Sequence, residues 1–220
     1  MGRRRRGQMS CPPISVTGPY DRRMTQDLAG ESPESATIRR ILESARDCFL
    51  RHVVRGTRMS DIAEGAGVVR QTLYDWVSSR DELVDLAMAE RTRELGEIIR
   101  QRPVDPAAPV GDQIVGVLAA MIDLAGNDPE FDLLAQAMPE RHAFAFLAGP
   151  SSLTDVVESV LQPYFDRARQ EGILREEMGL RALAEWVQTV LAPLRTRDDL
   201  TPGALRRLLR YFLIPALIHE

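Results

Sequence analysis

The chain has 220 residues, 44% hydrophobic and 27% charged, a globular composition with room for one large domain or a small domain docked on a larger one. No apolar run approaches the ~18 residues of a membrane span, and three scattered histidines and two cysteines with no CxxC or HxxxH imply no metal, no cofactor and no disulfide framework. The net charge of −4 is uneven: residues 1–33 carry three excess positive charges, residues 34–80 carry two, and residues 81–220 carry nine excess negative ones, so an anionic partner would favour the first eighty residues.

Residues 1–33 hold Pro12, Pro13, Gly18, Pro19, Gly30 and Pro33 without helical period and are expected to form a flexible basic arm. No 7–15-residue apolar stretch follows Arg3–Arg6, so no secretory signal is expected, and the low cysteine count points to the cytoplasm. The arginine run reads either as a solvated tail or as an arm lying on DNA phosphates.

From Pro33 the pattern turns helical. Ser35 is expected to cap a helix with Ile38, Ile41, Leu42, Ala45, Cys48, Phe49 and Val53 on its apolar face, ended by Gly56. Thr57 or Ser60 is expected to cap a second helix that buries Met59, Ile62, Ala63 and Ala66. Gly67 then supplies a sharp turn into a two-turn helix reaching about Val77. Ser78 or Ser79 caps a long helix over about 81–102, stopped by Pro103. Further helices are predicted at about 110–125, 129–137, 139–148, 151–171, 177–194 and 202–219, the last kinked or ended near Pro215. The fold class is therefore all-α.

Placed on a helix, Val69, Leu73 and Val77 share one face and are expected in the core, while Gln71, Asp75 and Ser78 lie opposite. So short a helix needs the two before it as a platform. A helix-turn-helix accounts for this arrangement, with the second helix entering a major groove and the first bracing it across the backbone. Gln71 can offer a bidentate amide to adenine and Arg70 can reach guanine or phosphate. Thr72 offers a hydroxyl and a methyl, and Tyr74 a donor for a phosphate oxygen. Asp75 accepts from cytosine or orients a neighbouring Arg. Thr57, Arg58, Ser60, Trp76 and Arg80 complete the DNA-facing set. The alternative is plain α-domain core, with Tyr74 and Trp76 simply buried.

The stretch from Ile38 to Leu83 resembles the N-terminal domain of the TetR (tetracycline repressor-like) family. The block "IAEGAGV" at Ile62–Val68, followed at fixed spacing by "TLY" at Thr72–Tyr74, carries the resemblance over roughly residues 35–85. Val69 stands where the family has a capping Ser, so the short helix needs another cap or a water. Trp76 and Val77 replace the usual aromatic pair, and Arg80 stands where Lys is usual.

The resemblance implies a dimeric one-component transcriptional regulator that represses at a palindromic operator and is released by a small apolar or amphipathic molecule. Its expected organisation is a three-helix DNA-binding domain over 34–80 and a helical ligand-binding and dimerisation domain over 81–220, with 81–102 as connecting helix. The expected partners are double-stranded operator DNA, a small-molecule effector and a second copy of the chain. Met121, Phe131, Met138, His142, Phe144 and Phe146 fall where such a family lines its cavity, the alternative for a stripe of Met and Phe being plain core. Apolar stripes on the last two helices, through Leu183, Val187, Val190, Leu205, Leu209 and Phe212, are wider than one core face needs and are expected to form the dimer interface, the alternative being a monomeric core, since wide stripes also occur in fully buried helices. An enzyme is not expected, because no nucleophile–base pair, phosphate loop or ligand cluster occurs. The alternative function is a helical protein-interaction module without specific DNA binding.

Overall fold

Helices account for nearly all regular structure in the computed structural model, which describes residues 33–149, 151–175 and 177–219. The arginine run Arg3–Arg6 and the rest of the expected arm up to residue 32 lie outside the described residues. In chain order the helices are α1 (Pro33–Gly56), α2 (Met59–Gly65), α3 (Arg70–Trp76), α4 (Arg80–Arg100), α5 (Val110–Gly126), α6 (Pro129–Ala137), α7 (Glu140–Ala148), α8 (Ser152–Gln170), α9 (Leu180–Arg195), α10 (Pro202–Leu208) and α11 (Ile214–Leu217), with a π-helical segment Leu209–Leu213 joining the last two. Among the described residues, extended pairing is confined to one antiparallel bridge between Leu174 and Ile218.

Several helix ends differ from expectation. Pro33 rather than Ser35 opens α1, because a proline at the first helical position gives up no hydrogen bond, and Ser35 is buried inside the helix. Neither Thr57 nor Ser60 caps α2; Arg58 occupies that position without a side-chain bond. Ser79 does cap α4, accepting from the Glu82 N–H at 3.1 Å, while the Glu82 carboxylate accepts from the Ser78 N–H at 2.7 Å. Near its end α1 breaks at Val53, whose backbone (φ 53°, ψ 155°) turns that side chain into solvent and puts Val54 into the core instead. Pro215 has no N–H for the carbonyl four residues back. The helix widens there, and the Ile214 N–H donates five residues back to Leu209.

Two apolar clusters fill the interior. One joins α1, α2, α3 and the first half of α4, and reaches across to Phe131, Leu134, Met138 and Phe146 on and beside α6 and α7. The other joins the end of α4 to α5, α8, α9 and the C-terminal helices. Helix α4 therefore belongs to both cores, and its packing crosses residue 80.

Candidate nucleic-acid interface and cavity

Helix α3 stands on α2 through a tight turn. Gly67 takes φ +65°; its N–H donates to Glu64 O at 3.0 Å, and the Val68 N–H donates to Ala63 O at 3.0 Å. This pair of bonds closes the end of α2 and needs a residue at ease in the left-handed region. Leu73 is fully buried and Val77 nearly so, anchoring α3 to the first core. Val69 is 69% exposed, not core as expected, because it sits before the helix in extended conformation and supplies no side-chain cap.

Arg70, Gln71, Tyr74 and Asp75 are exposed, and Thr72 and Trp76 half-buried. Two i, i+4 pairs organise this surface. The Gln71 amide donates to the Asp75 carboxylate at 3.0 Å, so Asp75 orients a glutamine and not an arginine. The Arg70 guanidinium lies 5.4 Å from the Tyr74 ring centre and 3.4 Å from its hydroxyl. Arg58 and Ser60 are exposed at the start of α2. Thr57 is different: it is buried, and its hydroxyl lies 3.0 Å from Val53 O and 3.2 Å from Cys48 O, turned inward. The kink explains this, since the Thr57 N–H bonds Val54 O and leaves the Val53 carbonyl to the hydroxyl. Arg80 reaches back to Arg55 O at 3.3 Å, joining α4 to the end of α1.

A second site lies between α4, α5, α6, α8 and α9, a cavity of about 80 Å³ with an almost wholly apolar wall. Met121 and Phe131 line it as expected, but the other expected residues do not. Met138 and Phe146 are buried in the first core, and Phe144 is 74% exposed. His142 places Nδ1 2.9 Å from Asp85 Oδ2 on α4, so it pairs with a buried carboxylate rather than facing the cavity. Burial pushes the Asp85 carboxyl above its ordinary range, with the neighbouring imidazole opposing that shift. Gly96 forms part of the wall, and a Cβ there would lie 2.4 Å from Val156 Cγ1 on α8, so α4 and α8 approach as closely as glycine permits.

An ion-pair network the sequence did not reveal ties α1 to α4 and α6. Arg46 on α1 donates to Glu94 on α4 at 2.6 and 2.8 Å, and to Glu130 on α6 at 2.6 and 2.9 Å. Arg91 on α4 donates to Glu94 at 2.6 Å and grips Asp128, which also caps α6 through the Phe131 N–H at 2.7 Å. Burial works to raise Glu94 and Asp128, but the two guanidiniums outweigh it and hold both carboxyls below their ordinary range. Arg46, the Arg91–Glu94 pair and the Asp128–Glu130 pair come from three separate stretches of the sequence, so only the folded structure reveals their convergence.

The expected dimer residues are mostly engaged within the subunit. Leu183, Val187, Leu205 and Leu209 are buried in the second core and Val190 packs against it, whereas Phe212 is 75% exposed. The helices instead turn Trp186, Tyr211 and Phe212 outward.

Residues 41–87 match the family model described as bacterial regulatory proteins, tetR family. The chain is 27% identical over 128 residues to the HTH-type transcriptional regulator Rv1816 of Mycobacterium tuberculosis, covering 58% of this chain and 53% of that protein. It is 31% identical over 103 residues to the HTH-type transcriptional repressor SCO4008 of Streptomyces coelicolor, covering 47% and 49%. These matches span about half the length of the curated relatives. Among solved structures, the transcriptional repressor QsdR of R. erythropolis, from the TetR family, shares the fold with a TM-score of 0.62 at 22% identity, over 86% of this chain and 98% of that one.

Proposed function

We propose, for a chain whose N-terminal domain belongs to the TetR family of bacterial regulators, that it is a homodimeric one-component transcription regulator of the cytoplasm. In this reading it represses by holding palindromic operator DNA with α3, and a small apolar or amphipathic molecule in the cavity releases it. Residues 34–80 serve as the DNA-binding domain, and residues 81–220 bind the effector and the second subunit. The observation that carries the reading is the surface of α3: Leu73 anchors it, while Arg70, Gln71, Tyr74 and Asp75 remain exposed.

The geometry suits major-groove readout. With one Gln71 N–H held by Asp75, its second N–H and its oxygen remain for the two-point pattern of adenine. Arg70 reaches guanine or phosphate, Thr72 a base edge, and Tyr74, Arg58, Ser60, Trp76 and Arg80 the backbone. Dimerisation sets two such helices about one DNA turn apart, ~34 Å.

Effector release follows from the size of the cavity. It is far below the ~300–1,000 Å³ of ordinary small-molecule sites, so a ligand must part the surrounding helices. Phe131 in its wall adjoins Glu130, which holds Arg46 of the DNA-binding domain, and both belong to the nine-residue helix α6. Displacing α6 would loosen the hold on α1, and the ligand acts through its differential affinity for the two arrangements.

Fluorescence anisotropy on DNA from upstream of the chain's own gene, across a salt series, tests the reading. A protected palindromic site and tighter binding there than to random DNA are expected; equal affinity for every sequence would overturn it.

A further inference from the structure

The polar groups of the cavity wall reduce to three residues, and two have their hydrogen bonds engaged elsewhere. The Thr92 hydroxyl donates to Met88 O at 2.7 Å. The Gln188 amide donates to Phe146 O at 2.8 Å and Gly149 O at 3.1 Å, and its oxygen accepts from the Thr154 hydroxyl at 2.6 Å.

The third is Arg195, at the end of α9. Its Nη1 donates outward to Asp132 at 2.7 Å, and its guanidinium lies 5.1 Å from the centre of the Phe131 ring, itself part of the wall. Its Nε is buried and has no hydrogen-bond partner among the described residues. A buried charged donor left unpaired is costly, and native structures rarely keep one without a purpose.

We propose that the cavity binds a straight-chain monocarboxylic acid, its alkyl chain among Leu95, Ile99, Met121 and Leu191 and its carboxylate on Arg195; this rests on the effector-cavity reading above. A carboxylate is the acceptor that best matches a guanidinium in an apolar surround, because charge-assisted bonds are shorter and stronger than neutral ones. Asp132 is no obstacle to a second carboxylate: its side chain is 42% exposed, so solvent screens it, and Arg46 already holds two carboxylates in this molecule. The acceptors left in this wall, the Thr92 hydroxyl oxygen and the second lone pair of the Gln188 amide oxygen, are neutral, and an ammonium beside Arg195 is repelled by the guanidinium.

Isothermal titration of the full chain at pH 7.5 with sodium octanoate, 1-octanol and octylamine tests the proposal. The native protein should bind octanoate at least tenfold more tightly than 1-octanol and should not bind octylamine. R195M should bring octanoate to within about twofold of 1-octanol while leaving the alcohol unchanged. D132N keeps the guanidinium and should hold octanoate at least as tightly as the native protein does; a loss counts against the proposal even if R195M fails to fold. Equal binding of octanoate and 1-octanol by the native protein would sink the acid while leaving the apolar cavity as a ligand site. Binding of neither would remove the cavity reading along with it.

Discussion

Gln71 is the residue on which operator specificity is expected to turn, because its amide faces solvent and Asp75 fixes its rotation. Gln71→Ala should relax discrimination at one base pair per half-site by about 1–3 kcal/mol while sparing non-specific affinity. Asp75→Ala should produce a smaller loss at the same base pair, since the amide stays and only its orientation is freed. Competition binding with single-base operator variants measures both; a loss at a different base pair, or equal loss on random DNA, removes Gln71 from base reading. Tyr74→Phe should instead weaken all sequences alike by roughly 1 kcal/mol, the scale of one hydrogen bond. The polar face of α3 was legible in the sequence because a 100° wheel separates Leu73 and Val77 from Gln71 and Asp75. The pairing within it was not, since Asp75 had both Arg and Gln neighbours within reach. Thr57 misled for a related reason: a hydroxyl at a helix start reads as exposed unless the kink that needs it is known.

At the scale of elements, the helices were mostly legible and their ends less so. Amphipathic period survives in any register, whereas caps depend on one backbone torsion. The break at Val53 shows the difference: nothing in "RHVVRG" distinguishes Val53 from Val54, yet one is 59% exposed and the other buried. A β-branched residue at φ 53° is strained by about 1–3 kcal/mol. Val53→Gly should relieve that strain and, after the greater entropy of glycine in the unfolded chain, stabilise the protein by about 1 kcal/mol. Urea unfolding measures it, and destabilisation would mean that the exposed valine packs. Gly67 should behave oppositely, Gly67→Ala costing about 1 kcal/mol by forcing a side chain into the left-handed region that closes α2. Cavity residues were legible only in part: Met121 and Phe131 lie on the wall, but Phe144 and Phe146 are two apart on one helix and so point in different directions. Arg195 carried no cavity signal in the sequence, because an arginine ending a helix ordinarily faces solvent.

The Arg46–Glu94–Glu130 and Arg91–Asp128 pairs connect α1 to α4 and α6, and their pH dependence has a definite sign. Glu94 and Asp128 are depressed in the folded protein, so their contribution is complete above their ordinary values of 4.5 and 3.8 and is lost as pH falls through the lower folded values. Asp85 is raised and runs the other way, its contribution present at low pH and lost as pH rises through its folded value. Arg46→Met removes one side of the network only. The stability difference between native protein and R46M should therefore be largest near neutral pH and should shrink below about pH 4.5; a gap independent of pH would leave the network without energetic weight.

Assembly is the property of the whole molecule on which the proposed mechanism depends. Val187→Arg or Leu209→Glu cannot report on it, because both side chains are buried in the subunit's own core and a charge there would cost the fold itself. Trp186, Tyr211 and Phe212 are 45%, 71% and 75% exposed, so charges there leave the core intact. In a two-fold assembly each substitution enters the interface twice. The double variant Trp186→Glu, Phe212→Glu should accordingly stay helical and sediment as a monomer. On a palindromic operator it should lose the effective-concentration gain of two linked half-sites, a factor of about 10²–10⁴, while its affinity for an isolated half-site changes little. Sedimentation and anisotropy on the same preparations separate the outcomes. Dimers that persist with both charges would place the interface on other helices, and a native protein that sediments as a monomer would leave α3 without the second recognition helix that the proposed repression requires.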